Sequence, residues 1–310
     1  MFLVSLLIGL VALVGGAELL VRGGGELALK LRIPALVVGL TVVAFGTSTP
    51  ELAVSVTAAW QASTQMALAN VNGSNIANVL LVLGLGAMVS PIRVERSVIK
   101  RDLGAAMLLS ALVPLFLLTS NRICRGEGVV LVLVGVIYNV LLLRAAFSGR
   151  VKVDPEEVDF GGERHWAVNL LMLVAGVVVL VVGAGYFVDG AVILAERLGF
   201  SDRFIGLTVV AVGTSAPEIA TSMVSAFRGE SDMAVGNSVG SNILNISMVL
   251  GITAIIYPID LGSSAVWWDT GAVLVSMALL LPLALWGRVS RGTGALMIAV
   301  YAGYMFFSQS

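Results

Sequence analysis

Two short runs hold most of the side chains that could do chemistry. Thr47, Ser48 and Glu51 stand at i, i+1 and i+4, with Ala44 one turn earlier, so one side of a helix offers a carboxylate and two hydroxyls. Ala211, Thr214, Ser215 and Glu218 repeat that set in the second half of the chain. Pro50 cannot donate a backbone hydrogen bond and its ring crowds the carbonyl of Gly46, so a kink is expected there, freeing carbonyls around Ala44 to Thr47. Pro217 stands at the same place in the second run. A further pair of runs adds Ser74 with Asn78 and Ser241 with Asn245, each an i, i+4 hydroxyl and amide on one helix face. Gly73 and Gly240 permit close backbone approach, and Asn70 and Asn237 extend the polar stripe by a turn.

The ligand set is all oxygen, without Cys, His or Met, which disfavours zinc, copper and other soft metals. Two carboxylates balance a divalent charge. A mixture of carboxylate, hydroxyl, amide and backbone oxygen suits Ca²⁺ better than Mg²⁺, which demands octahedral geometry and sheds water reluctantly. Na⁺ can use the same oxygens, so these residues alone leave Ca²⁺ and Na⁺ open and do not show that one is exchanged for the other. For Ser48, Ser215, Asn70 and Asn237 a role as interhelical glue is the competing reading.

These residues sit in an exceptionally apolar chain. Of 310 residues, 58% are hydrophobic and 12% charged, too few polar groups to clothe a water-facing globule, and the chain is expected in a bilayer. Apolar runs long enough to cross the hydrocarbon fall at roughly 2–29, 35–60, 66–89, 102–120 and 127–147, then 166–195, 204–227, 233–256, 266–287 and 292–308. The second five copy the first. At an offset of 167, Gly39 to Glu51 (GLTVVAFGTSTPE) matches Gly206 to Glu218 (GLTVVAVGTSAPE) at 11 of 13 positions. The same offset pairs Gly73, Ser74 and Asn75 with Gly240, Ser241 and Asn242, Asn78 with Asn245, and Asp102 with Asp269.

The fold expected is therefore an all-α integral membrane protein of ten transmembrane helices. It comprises a first five-helix repeat at 1–147, a hydrophilic cytoplasmic linker at 148–165 and a second repeat at 166–310. Helices 2, 3, 7 and 8 are expected to be kinked or broken around a midplane ion site. With the N-terminus outside, the inner connections collect thirteen Lys and Arg against four outside (Arg122, Arg125, Arg197 and Arg203), which places both termini on the extracytoplasmic side. An odd number of spans per repeat inverts the second copy relative to the first, a transporter architecture. An ionised carboxylate at the bilayer centre costs about 2.5–3.5 kcal/mol even on lenient scales. No Lys or Arg lies within the two glutamate motifs, so Glu51 and Glu218 call for a compensating cation or bound protons.

GTSTPE and GTSAPE, followed by NGSNIAN and VGSNILN, resemble the paired repeats of the cation/Ca²⁺ exchanger superfamily, specifically its prokaryotic sodium/calcium exchangers. The resemblance covers both halves. It implies secondary antiport in the cell membrane, with Ca²⁺ and Na⁺ as transported ions and no cofactor. Glu51 and Glu218 would be the shared anionic ligands, with Thr47 and Thr214 beside them at the Ca²⁺ site. Carbonyls of Ala44 and Ala211 and hydroxyls of Ser48, Ser74, Ser215 and Ser241 would serve flanking Na⁺ sites, and Asn78 and Asn245 would border the middle. Asn245, where potassium-dependent members carry an acid, argues for potassium independence. Asn72 (paired with Val239) and Ala69 (paired with Gly236) depart from the usual pattern without touching a proposed ligand. The first and sixth spans would slide to reopen the site on the other face, and Gly15, Gly16 and Gly183 would give them either smooth contact or simple close packing. Rival readings are a proton/cation exchanger using the same glutamates and a passive channel; no Ser/His or paired-Asp arrangement for an enzyme occurs in the spans.

The remaining polar residues have quieter expectations. Met1 to Leu29 reads as an uncleaved span rather than a signal peptide, since it lacks a basic start and has a mid-chain counterpart. Cys124 is expected to be an inert thiol and His165 a solvated linker residue. Glu18, Arg22 and Glu26, at i, i+4 and i+8, are expected to pair along one helix face. Asp102 and Asp269 are placed at span ends and Asp189 near an outer end. A net charge of −1 leaves no basic surface for nucleic acid, and the oligomeric state is left open, a monomer included.

Overall fold

A computed structural model describes residues 2–61, 63–94, 99–148, 165–199, 211–260 and 265–308. Most of the expected linker, 149–164, and residues 206–210 of the second motif lie outside them, as does Arg203. Helices follow the apolar runs: α1 (Phe2–Leu31), α2 (Ala35–Thr47), α3 (Thr49–Trp60), α4 (Thr64–Val89), α5 (Arg101–Thr119), α6 (Arg125–Phe147), α7 (Trp166–Arg197), α8 (Ala211–Thr214), α9 (Ala216–Phe227), α10 (Ser231–Ile256), α11 (Ala265–Leu285) and α12 (Arg291–Ser308). Among the described residues, seven of these are long and apolar enough to cross a membrane, and the bent pair α2–α3 makes an eighth. The protein is a multi-pass, all-helical membrane protein.

At 1.5 Å per residue, α1 and α7, of 30 and 32 residues, run to about 45–48 Å, well beyond the hydrocarbon thickness, so both must tilt. They pack along each other over their whole length, the most extensive helix pair among the described residues. Two spans form the centre. The most apolar windows of α4 and α10 are each 78% buried, against 28–39% for the other five spans, so α4 and α10 face protein while the rest present Leu, Val and Phe to lipid. Exposed Trp60, Trp166 and Trp286 at helix ends are placed for the interfacial belt.

Contacts are duplicated along with sequence. Tyr138 donates to Asp102 (2.9 Å) and Tyr304 to Asp269 (2.8 Å), tying α5 to α6 and α11 to α12. Asp102 is fully buried and also takes a bidentate bond from Arg101 (2.7 and 3.0 Å), so it is a structural anchor at its span end. Gly84 of α4 meets Gly294 of α12, and Gly251 of α10 meets Gly128 of α6. Short antiparallel bridges join β1 (Ile92–Arg93) to β4 (Arg288–Val289) and β2 (Arg122–Ile123) to β3 (Ile259–Asp260). In each exchange an element of one half meets the image of its partner in the other half. The offset is 167 up to Asp269 but 166 for the last helix, a one-residue shortening before Arg288 that an ungapped comparison passes over.

Two expectations change here. Gly16 and Gly183 face the α1–α7 contact itself: a Cβ on Gly16 would lie 2.8 Å from the Leu180 nitrogen, and Gly183 abuts Ala12 and Leu13. Gly15 faces nothing within 4 Å. Gly16 and Gly183 thus serve the close packing of α1 on α7, the second of the two readings, and Gly15 has no such part. His165 is also more than a solvated linker residue: its ring accepts from the Ala167 N–H (3.3 Å) and caps α7. Cys124 caps α6 in a box with Glu127, whose carboxylate takes the Cys124 N–H at 2.7 Å.

Candidate cation site

The chain bends by 44° between α2 and α3, and the break falls on Ser48 (φ −82°, ψ 5°). Ser215 takes nearly the same angles (φ −86°, ψ 7°) between α8 and α9. In each copy the proline occupies the first turn of the following helix, where its missing N–H removes no bond, and Glu51 and Glu218 stand next to it. The break thus directs a helix start toward each carboxylate. The Ala44 carbonyl, expected to be released by the kink, accepts from the Ser48 N–H (3.0 Å) and the Thr47 hydroxyl (3.3 Å), so it is engaged in this arrangement.

α4 and α10 hold the broken helices in place. Asn70 donates to the Glu51 carbonyl (3.3 Å) and the Ser55 hydroxyl (2.9 Å); Asn237 donates to the Glu218 carbonyl (3.3 Å) and the Ser222 hydroxyl (3.0 Å). Both asparagines are therefore fasteners. Asn237 also accepts from Thr47 (3.1 Å), linking α2 across to α10.

Glu51 and Glu218 are fully buried and electrostatic neighbours. Ser48 donates to Glu218 Oε1 (3.3 Å), across the repeats, and Ser74 reaches Glu51 Oε1 at 3.5 Å. Ser215 lies toward Glu51, Thr47 and Ser241 lie toward Glu218, and Thr47 and Ser241 are 3.5 Å apart. Thr214 is half-buried and has a partner, and Ala211 opens α8. The structure brings Thr47, Ser48, Glu51, Ser74, Ser215, Glu218 and Ser241 into one cluster. Asn78 and Asn245 lie one turn along α4 and α10 from Ser74 and Ser241, where each begins a π-helical turn, Asn78–Val82 and Asn245–Leu250.

The donor atoms fit a hard cation. Glu51 Oε2, Glu218 Oε2, Ser215 Oγ, Asn78 Oδ1 and both ends of the Asn245 amide are buried without a protein partner, an arrangement that in a dry interior calls for a bound ion or water. Among the described residues no three His, Cys, Asp or Glu cluster, so two carboxylates and neutral oxygens make up the set, as hard monovalent and divalent cations prefer.

Other polar residues find structural partners. Asn72 donates to Thr270 (3.2 Å), while its image Val239 packs in the apolar core, so that departure in sequence is a matched polar pair. Glu18 pairs with Arg22 (2.6 Å) as the spacing anticipates, and also takes a fork from Arg228 at the end of α9, which helical spacing could not reveal. Glu26 is buried and partnered, and Asp189 is exposed. Ser55 and Ser222, images of each other at offset 167, accept the Asn70 and Asn237 amides and carry no signal in sequence beyond that repetition.

The sodium/calcium exchanger protein family matches residues 1–144 and 168–309. The chain belongs to that family. It is 36% identical over 312 residues to the putative antiporter CaxA of Alkalimonas amylolytica, covering 98% of this chain and 97% of the relative. It is 32% identical to the sodium/calcium exchanger MaX1 of Methanosarcina acetivorans, with 97% and 96% covered. A solved structure of the sodium-calcium exchanger NCX_Mj superposes with a TM-score of 0.84 at 30% identity, covering 98% of this chain and 97% of that one. Membership of this exchanger family makes the chain a cation/Ca²⁺ antiporter, and the family is one of transporters rather than enzymes.

Proposed function

We infer that the protein exchanges Na⁺ for Ca²⁺ across the cell membrane, with Glu51 and Glu218 shared between the two ions. The observation that carries this reading is the pair of fully buried carboxylates, each served by a hydroxyl and each keeping one oxygen unpaired. Thr47 and Thr214 join the glutamates around Ca²⁺. Ser48, Ser74, Ser215 and Ser241, with the Ala44 and Ala211 carbonyls, serve Na⁺ beside it, and Asn78 and Asn245 border the centre. Because Na⁺ and Ca²⁺ draw on the same carboxylates, occupancy by one excludes the other, and that competition couples the fluxes.

In this reading the chain crosses the membrane ten times as two inverted halves, counting the helices that end at Phe227 and begin at Arg291, with both termini outside. The exchanged contacts between halves and the charge of the connections support it. α1 and α7, packed as one body, move against the rest to open the site to either side. Each Na⁺ charge moved beyond two is worth about 2.3 kcal/mol per 100 mV of membrane potential.

The test is Ca²⁺ uptake into vesicles carrying the purified protein, driven by an imposed Na⁺ gradient without a pH gradient. Saturable uptake that follows the Na⁺ gradient and shows counterflow is expected. Uptake that ignores Na⁺ and follows a pH gradient would make the driving ion a proton, and unsaturable flux would mean a channel.

A further inference from the structure

Two asparagines at the centre, Asn75 and Asn242, carry no assigned role, yet they are images of each other and both are fully buried. With Asn78 and Asn245 they make a quartet on α4 and α10 that the repeat would leave symmetric. It is not symmetric. Asn78 Nδ2 donates to Asn242 Oδ1 (3.0 Å), Asn242 Nδ2 donates to the Asn75 carbonyl (3.2 Å), and the Ser238 hydroxyl donates to the Asn78 carbonyl (2.6 Å). The image bonds are missing: both side-chain ends of Asn75 and of Asn245 are buried without a partner.

The difference is written into the sequence. Ser238, which holds the Asn78 backbone, has Val71 as its image, and Val71 has no hydroxyl to give. Met277, whose sulfur lies 3.7 Å from Asn242 Nδ2, has Ser110 as its image, and the Ser110 hydroxyl is engaged with the Ala106 carbonyl at 2.8 Å. The Asn242 amide is therefore held at both ends, by Asn78 and by the Asn75 carbonyl, where the Asn75 amide is held at neither.

A bond from its nitrogen fixes an amide's orientation. With Nδ2 given to Asn242, Asn78 has Oδ1 left over, buried and unpaired, as the atom available to a cation. Asn245, held at neither end, can turn either end inward. We propose that Asn242 is a positioning residue that presets Asn78 as an oxygen ligand, and that Asn75 does not do the same for Asn245. One half of the site is thus preorganised and the other adjusts to the ion. This rests on the assignment of Asn78 to the cation site but not on which ion drives transport.

The experiment is Ca²⁺ binding to the purified protein by calorimetry, which needs no driving ion, together with half-saturation and maximal rate of uptake in vesicles. Asn242→Ala frees the Asn78 amide and should weaken Ca²⁺ binding about 5–10-fold, the worth of one net hydrogen bond, with the maximal rate within about twofold. Asn75→Ala should leave binding within about twofold. Equal weakening in the two alanine variants, or unchanged binding in Asn242→Ala, overturns the proposal. Should Asn242→Ala fail to fold, Asn242→Leu decides: it keeps the volume but can neither accept from Asn78 nor donate to the Asn75 carbonyl, so Ca²⁺ binding should weaken about 5–10-fold, and unchanged binding is the refuting result. Glu51→Gln serves as the control for the site itself. If it retains Ca²⁺ binding, the site assignment fails, whatever Asn242 does.

Discussion

At the residue scale, the glutamates were legible because the chain has so few charges and shows the same one twice. Glu51 and Glu218 stand out of an apolar run, and their repeated Thr and Ser neighbours mark them as candidate ligands rather than stray charges. Glu51→Gln and Glu218→Gln each keep size and hydrogen-bonding ability while removing a charge. Each should lower Ca²⁺ uptake at least ~100-fold, on the order of the two or more kcal/mol that a desolvated charge contributes, while the purified protein elutes as a single folded species. Transport retained in either variant would refute the site. The family resemblance sets Asn245 where it implies an acid in potassium-dependent members, and on that reading replacing external choline with K⁺ should leave the uptake rate unchanged. Arg228 was not legible at this scale. It meets Glu18 across 210 residues, and only the packing of α9 on α1 brings the two together.

At the scale of elements, apolar runs and the two prolines foretold spans with interrupted helices, and the structure refines where the interruption falls. Proline marks the beginning of the new helix, and the residue that leaves helical angles is the serine two positions earlier. The π-helical turns at Asn78 and Asn245 have no signature in periodicity, because they add one residue to one turn of an otherwise regular helix. Nor does spacing say whether a buried Asn is a ligand or a fastener. Asn70 and Asn237 prove to be fasteners, and their removal should be felt in stability. Asn70→Ala leaves the Glu51 carbonyl and Ser55 without their donor and should destabilise by about 1–3 kcal/mol. Asn237→Ala also removes the acceptor that Thr47 finds across the repeats, leaving it the Ala44 carbonyl, so the fall in thermal midpoint should be larger than for Asn70→Ala. An equal fall in the two would mean that the bond across the repeats contributes nothing. Thermal unfolding followed by tryptophan fluorescence in detergent measures both.

At the scale of the whole molecule, duplication was the most legible feature and the pairing of the halves the least. An ungapped offset locates equivalent residues but does not say which face of α1 meets which face of α7. Gly9, Gly16 and Gly23 recur every seventh residue on α1, and their images Gly176, Gly183 and Gly190 do so on α7. In the structure they form one continuous seam: a Cβ on Gly16 would come 3.0 Å from the Gly176 carbonyl, and one on Gly176 would come 2.9 Å from the Gly16 carbonyl. A seven-residue stripe of small residues keeps two tilted helices in close backbone contact over their length, which suits a pair that moves as a single body better than a pair that slides apart. Adjacent glycines separate the two possibilities. Gly15 faces open space, so Gly15→Ala should hold or slightly raise the thermal midpoint, since alanine is the better helix former by roughly 1 kcal/mol. Gly16→Ala must push the two backbones apart and should lower stability by about 1–3 kcal/mol despite the same gain in propensity. If α1 and α7 travel together, spreading the seam should also slow Na⁺-driven turnover several-fold while Ca²⁺ binding, which depends on residues outside the seam, stays within about twofold. Loss of binding with turnover per bound ion unchanged would instead mean that the seam shapes the site rather than the motion.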